Sequence, residues 1–297
     1  MKRLEEENNR IFIDAYGLQE ELTPDVPLEE ITLTCNPRYR YGNKKTDEEL
    51  EALLLADTMR EFISYAVGCM FGRYSLDKPG LVLANQGETV KDYIEKVGLP
   101  KNEISFLPDE DNVLPLTEGE YFTDDIVTKF KRFLRVTFGE EHYEQNLAFI
   151  EKALGKDIRK YFLSEFYPHH VRMYKKRPIY WLFSSPRGTF NALVYLHRYN
   201  PDTVNTVLND YLRQFIKKLE AEKSTLETRK ASEGLSARDS AQIEKDLDGI
   251  KKQLRELAEY ERNILFPLAA KRLEIDLDDG VKVNYAKFGD ALYPVKM

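Results

Sequence analysis

Cysteine is almost missing from this chain: Cys35 and Cys69 are the only two in 297 residues, they lie 34 positions apart, and neither has a CxxC neighbour. That excludes a disulfide framework and a zinc ribbon, and a reducing, cytoplasmic setting is expected. No apolar run approaches the roughly 18 residues needed to cross a bilayer, and Met1 to Arg10 are too polar for a signal peptide, so no membrane partner is expected. The four histidines, His142, His169, His170 and His197, match neither an HExxH helix nor a Cys/His pattern, and they read as core-edge or partly exposed side chains. There is no GxxxxGK[ST] loop, no GxSxG elbow, and no carboxylate pair that stands out among 51 acidic residues. What is present is ample material for a core: 42% hydrophobic and 12% aromatic residues, in a length that suggests about two domains.

The net charge of −7 conceals a division along the chain. Residues 1–127 carry 13 cations and 27 anions, residues 128–151 carry four of each, residues 152–199 carry ten and two, and residues 200–297 carry 17 and 18. An acidic front, a basic middle and a balanced tail suggest separate roles.

Along the chain, Leu4, Ile11, Ala15 and Leu18 predict an opening helix that the Thr23–Pro27 breaker ends. Ile31–Thr34 reads as a short β-prone run, and Asn36-Pro37-Arg38-Tyr39-Arg40-Tyr41-Gly42 as an irregular loop. Thr46 with Glu49 forms a capping box for a long helix to Phe71, stopped at Gly72. From Leu81 to Leu116 short β-prone pieces mix with a weak helix near Val90–Val97 and an acidic loop from Pro108 to Pro115, and several helices follow from Thr123 to about Tyr174. Ile179–Phe183 and Phe190–Tyr195 predict a strand pair joined by Ser184–Thr189. Asn200-Pro201 is read as an N-cap and first helical residue of a helix to about Arg229. After a polar loop around Ala231–Ser240, the seam Ile243, Leu247, Ile250, Leu254, Leu257, Ile264 predicts an antiparallel partner for Val204, Leu208, Tyr211, Phe215 and Leu219. The fold expected is α+β and predominantly helical. Its parts are an opening helix and linker (1–30), an acidic mixed part (31–127), a helical basic part with the strand pair (128–199), and a helical hairpin with a C-terminal extension (200–297).

Two stretches bear on chemistry. Asn36-Pro37-Arg38-Tyr39 comes near the Asn-Pro-Pro-Tyr loop with which amino-group methyltransferases hold an extruded base, but Arg38 replaces the second proline. The roughly 35 residues before it cannot hold a nucleotide-binding βαβ unit, so it reads as an ordinary loop exposing Arg38 and Arg40. Between Lys152 and Tyr199, ten cations interleave with eleven aromatics, most densely at Arg172, Lys175, Lys176 and Arg177. Cations in such a setting contact phosphates and supply affinity without sequence information. Arg187 in the Ser-Ser-Pro-Arg-Gly loop, and Arg198, join them as candidate DNA contacts, with Arg38 and Arg40. The opposing reading is that most of the aromatics fill a core and the charges face solvent.

Four stretches, ENNRIFIDAYGLQEELTPDV (7–26), ISYAVGCMFGRYSLD (63–77), KRPIYWLFSSPRGTFNALVYLHRY (176–199) and DDGVKVNYAKFGDAL (278–292), resemble the C-terminal region of the PglX family. These are adenine-specific DNA methyltransferases of BREX phage-exclusion systems, to which type IIG restriction-modification enzymes are similar. The resemblance implies a protein several times longer, with its S-adenosylmethionine-binding Gly-rich motif and Asn-Pro-Pro-Tyr loop upstream of these stretches. It implies no cofactor and no catalytic residue within the 297 residues, and no methyl transfer by the chain alone. The implied role is to grip double-stranded DNA and recognise the target, docked to the methyltransferase catalytic domain or other defence-system proteins. The alternatives are an assembly module with little DNA affinity, in which the helical hairpin serves as strut or contact, and an intact small methyltransferase.

Overall fold

The computed structural model describes residues 1–232 and 236–297. It divides into two units, residues 1–62 with 152–155 and residues 63–151 with 156–297.

In the smaller unit, helix α1 (Lys2–Tyr16) ends at Gly17, whose φ of 68° suits the left-handed cap position. Its inner face binds the chain that follows: Lys2 Nζ donates to the Val26 carbonyl at 2.6 Å, and Glu5 accepts the Thr32 amide at 3.1 Å. The expected strand at Ile31–Thr34 does not form. The Asn36 side-chain amide donates to the Leu28 and Ile31 carbonyls at 2.8 and 2.9 Å and curls that segment instead. The expected loop after it is a short helix, α2 (Pro37–Tyr41), because Asn36 caps it, Pro37 fits a first turn that needs no N–H, and Gly42 closes it. The Thr46–Glu49 capping box is formed reciprocally at 3.0 and 3.3 Å and starts α3 (Asp47–Met70).

In the larger unit, α4 (Val90–Val97) is followed by strand β1 (Val113–Leu116), then α5 (Ile126–Phe138) and α6 (Tyr143–Leu154), whose residues from 152 onward belong to the smaller unit. Helix α7 (Ile158–Tyr161) passes through a π-helical turn at Phe162–Phe166 into α8 (Tyr167–Met173). Strands β2 (Tyr180–Ser184) and β3 (Asn191–Tyr195) form the expected hairpin, with Trp181 opposite Val194. β1 adds to the other side of β3, giving an antiparallel sheet in the order β1-β3-β2. The acidic segment read as a loop therefore ends in a strand. Its Pro115 is tolerated because β1 is an edge strand, where a missing N–H breaks no ladder.

The helical hairpin is also present. Helix α9 (Thr203–Thr206), a π-turn at Val207–Leu212 and α10 (Arg213–Lys230) form its first arm. The arm starts at Thr203 rather than Pro201, because the Asn200 side chain accepts the Asp202 amide at 2.8 Å in an Asx turn. α11 (Ala237–Tyr260) is the second arm, and pairs Lys230–Glu244 and Arg213–Glu261 at its two ends fix the antiparallel sense. Of the polar loop expected at 231–240, residues 233–235 lie outside the described residues and 237–240 are helical. A π-turn at Glu261–Leu265, α12 (Phe266–Lys271) and α13 (Val281–Ala286) complete the unit. The first-arm residues Val204, Leu208, Tyr211, Phe215 and Leu219 are buried with Ile250 and Leu257 in one cluster that also contains Trp181 and Phe288. Among the described residues no helix is long and apolar enough to cross a membrane.

Candidate nucleic-acid interface

Helix α8 ends in a turn that two lysines are forced to make. Lys175 and Lys176 have φ of 50° and 64°, and the Lys176 amide reaches back to the Val171 carbonyl at 2.8 Å in the manner usually left to a glycine. A residue with a Cβ in this region costs on the order of 1 kcal/mol. Pro178 follows, its carbonyl held by the Trp181 indole N–H at 3.2 Å. The result presents Arg172, Lys175, Lys176 and Arg177 to solvent at a helix C-terminus, where the backbone dipole favours positive charge. Among the described residues, none of these four side chains makes an ion pair or hydrogen bond.

The second group sits at the β2–β3 turn. Ser185 Oγ accepts the Phe190 amide at 3.1 Å, the Gly188 amide donates to the Ser185 carbonyl at 2.8 Å, and the Asn191 side-chain Nδ2 donates to the Gly188 carbonyl at 2.8 Å. From α11 the buried Glu256 carboxylate accepts the Arg187 amide at 2.7 Å and the Thr189 hydroxyl at 2.5 Å. The backbone is thus pinned from both sides, while the Arg187 guanidinium is exposed and has no partner among the described residues.

Four adjoining hollows connect the two groups. Lys175, Lys176 and Arg177 line one of about 690 Å³ with Asp279 and Lys282. Lys176 also borders a hollow of about 450 Å³ with Arg172, Glu165 and Lys296. That one shares Ser164, Pro168, Tyr293 and Pro294 with a groove of about 760 Å³ reaching Arg187. Pro186 and Arg187 then border a hollow of about 570 Å³ with Lys252, Arg255, Glu256 and Glu259. Several acids along this trough are already engaged: Glu165 pairs with Lys156, Asp279 with Lys287 at 3.5 Å, and Glu256 with the turn. Glu118, Glu259 and Asp290 remain. Among the described residues the lining cations have no ion pair and outnumber the acids that lack one, Glu118, Glu256, Glu259 and Asp290, so the local charge is positive although the chain is acidic overall.

The structure thus brings five of the eight candidate cations onto one trough and separates the other three. Arg198 is only 6% exposed and donates to the Phe71 and Glu110 carbonyls at 3.3 and 3.0 Å; it ties loops together and cannot reach a phosphate. Burial pulls its pKa down, against the influence of Asp109 and Asp111. Arg38 and Arg40 belong to the smaller unit and are paired, Arg38 with Asp47 at 2.5 Å and Arg40 with Asp57 and Glu61 at 2.9 and 3.0 Å. Ten of the eleven interleaved aromatics are buried, so they form core rather than a stacking platform. Lys252, Arg255, Lys282 and Lys296 escaped the sequence reading because they lie in the balanced tail, where no local excess of charge marks them.

The histidines are structural at two positions. His170 is 1% exposed, accepts the Tyr180 amide at 3.1 Å, and lies between Tyr174 and Tyr180 at 4.6 and 4.7 Å. Burial, reinforced by His169 and Arg73, pulls its pKa down to about 3, and burial pulls His197 to about 4. A histidine buried neutral stabilises the fold fully above its unfolded pKa of about 6.5 and loses that contribution as pH falls towards the folded value. Lowering the pH from 7 to 5 is expected to cost about 2 kcal/mol through His170. Urea unfolding at both pH values checks this, and His170→Gln is expected to flatten the dependence. No group of three or more metal-ligating side chains occurs among the described residues.

No known family model matches the chain. Two curated relatives do. The chain is 38% identical over 307 residues to the adenine-specific methyltransferase BrxX of Escherichia coli O9:H4 (strain HS), an alignment covering 99% of the chain and 25% of that protein. It is 38% identical over 298 residues to the adenine-specific methyltransferase PglX of Lacticaseibacillus casei (strain Zhang), covering 97% of the chain and 22% of that protein. The resemblance carried by the four sequence stretches therefore extends over nearly the whole chain. This chain is homologous to one region of the BrxX and PglX adenine-specific methyltransferases and spans about a quarter of the length of those relatives.

Proposed function

We propose that the chain is the DNA-gripping and target-recognition part, C-terminal in position, of a site-specific adenine N6 DNA methyltransferase of a BREX or type IIG-like defence system, and that it does not transfer methyl groups by itself. The observation that carries this reading is the trough of unpaired cations, with Arg172, Lys175, Lys176, Arg177 and Arg187 along one connected surface. Cations on such a surface neutralise phosphates and release the condensed counterions to solution, which drives binding without regard to sequence. The relatives' description as adenine-specific methyltransferases supplies the reaction of the longer protein. Such enzymes hold S-adenosylmethionine at a strand-to-helix turn of a parallel sheet. The strand pairs described here are antiparallel, which does not fit that donor and supports a reading in which another part of the longer protein binds it.

Titration of labelled duplex DNA with the purified chain, followed by fluorescence anisotropy at several salt concentrations, tests the proposal. If Arg172, Lys175, Lys176 and Arg177 each neutralise one phosphate, the logarithm of affinity falls against log salt with a slope of about −4. Absence of binding at low salt would remove the reading. One observation favours the assembly module in that event: α1 leaves Leu4, Ile11, Phe12 and Tyr16 exposed, an apolar face on the smaller unit.

A further inference from the structure

We propose that Arg187 is a base-reading residue, taking the edge of a guanine, and that Glu256 is the positioning residue that holds it in register. The inference rests on the DNA-binding reading above and adds to it a division of labour among the cations. A phosphate contact tolerates a mobile ammonium group, because any approach to a diffuse negative charge is favourable; a base edge requires a planar fork held at a fixed place. The two cationic groups differ in this respect. Lys175 and Lys176 are ammonium groups whose own backbone is held, among the described residues, by backbone bonds alone, whereas the Arg187 backbone is fixed by the buried Glu256 carboxylate and by the Ser185 and Gly188 bonds of the turn. Among the described residues nothing uses the Arg187 guanidinium, and the bracing suits a group that meets something outside the chain.

Its surroundings suit a duplex. Pro186 and Arg187 form the wall shared by the 760 Å³ and 570 Å³ hollows. Lys252 and Arg255 lie in the hollow on one side, and Arg172 and Lys296 border the hollow adjoining the other. An exposed turn with cations in the hollow on one side, and further cations beyond the groove on the other, is complementary to a DNA groove, where two phosphate backbones flank the base edges. Arginine on such a turn bonds guanine O6 and N7 together, and a good forked pair discriminates against the wrong base by roughly 5- to 150-fold.

The test is selection from a pool of random duplexes by the full chain, followed by sequencing of the bound fraction, with Arg187→Lys, Arg187→Ala and Glu256→Gln run in parallel. The wild-type chain is expected to enrich a motif containing guanine. Arg187→Lys keeps the charge and is expected to hold its affinity for unselected duplex within about threefold while losing preference at one guanine position only. Glu256→Gln is expected to weaken the same position, since an amide offers one acceptor where the carboxylate offers two. A motif unchanged in Arg187→Lys, or wild-type binding without any enriched motif, overturns the inference while leaving DNA binding intact. No binding to any duplex overturns both, and that outcome is distinguished by its occurring across the whole pool.

Discussion

Arg159→Ala is expected to lower the unfolding free energy by about 3–5 kcal/mol, although Arg159 reads in the sequence as one more cation of the basic middle. Its guanidinium meets Asp125 at 2.7 Å and donates to the Thr117 carbonyl at 2.9 Å, and the Asp125 side chain has no exposure at all. Asp125 also caps α5 by accepting the Thr128 amide at 2.7 Å. Truncating the arginine would leave a buried carboxylate with its charge uncompensated, which costs far more than the net value of the pair. The double change Asp125→Ser with Arg159→Met removes both charges and keeps a capping oxygen, so it is expected to recover most of the loss. Urea unfolding followed by the fluorescence of the single tryptophan measures all three proteins. A loss below about 1 kcal/mol for Arg159→Ala would show that water or a local shift compensates Asp125.

Trp181→Ala is expected to cost a similar 3–5 kcal/mol, here from lost packing. The ring is fully buried, meets Tyr285 and Phe288 edge-on at 5.4 and 5.1 Å, and lies 6.5 Å from Tyr199. Its N–H satisfies the Pro178 carbonyl directly beyond the basic turn, so the variant would both open a cavity and release the chain that leaves Arg177. Thermal unfolding by circular dichroism is the measurement, because the variant lacks the fluorophore. Near-native stability would mean that the neighbouring rings collapse into the space.

This core also explains why three of the four stretches that carry the family resemblance are so distinctive. Phe71 from residues 63–77 stacks on Tyr180 at 5.1 Å, Trp181 and Phe183 come from residues 176–199, and Tyr285, Phe288 and Leu292 come from residues 278–292. Segments more than a hundred residues apart interlock around the β2–β3 pair, and each brings large rings whose shapes must fit one another.

The strand pair and the helical hairpin were legible because each repeats one physical pattern over many residues: aromatic and β-branched runs about a polar turn for β2–β3, and a three-four spacing for α10 and α11. At α2 the sequence is ambiguous, because Pro37 and Gly42 are loop signals and an asparagine cap with proline at the first position and glycine past the end equally describes a helix. β1 was hidden by Pro115 and by the acids before it, since an edge position is a property of the sheet and not of the strand. For the site, the clustering of charge pointed to Arg172, Lys175, Lys176, Arg177 and Arg187, which the structure leaves exposed along adjoining hollows. It could not show that Arg198 and Arg159 point inward, because sequence gives the charge of a residue and not its direction. Nor could it find Lys252, Arg255, Lys282 and Lys296, which reach the trough only through the packing of α11 and the C-terminal segment.

The most direct test of the account replaces Lys175 and Lys176 together by glycine and measures thermal stability and DNA affinity on the same preparation. Both lysines occupy backbone conformations that glycine adopts without strain, so the account predicts a melting temperature equal to or above that of the parent protein. It also predicts weaker duplex binding with a salt slope shallower by about 2, the signature of two lost phosphate contacts. Unchanged affinity and slope in a protein that is no less stable would contradict the central claim that these cations face the turn outward to hold DNA.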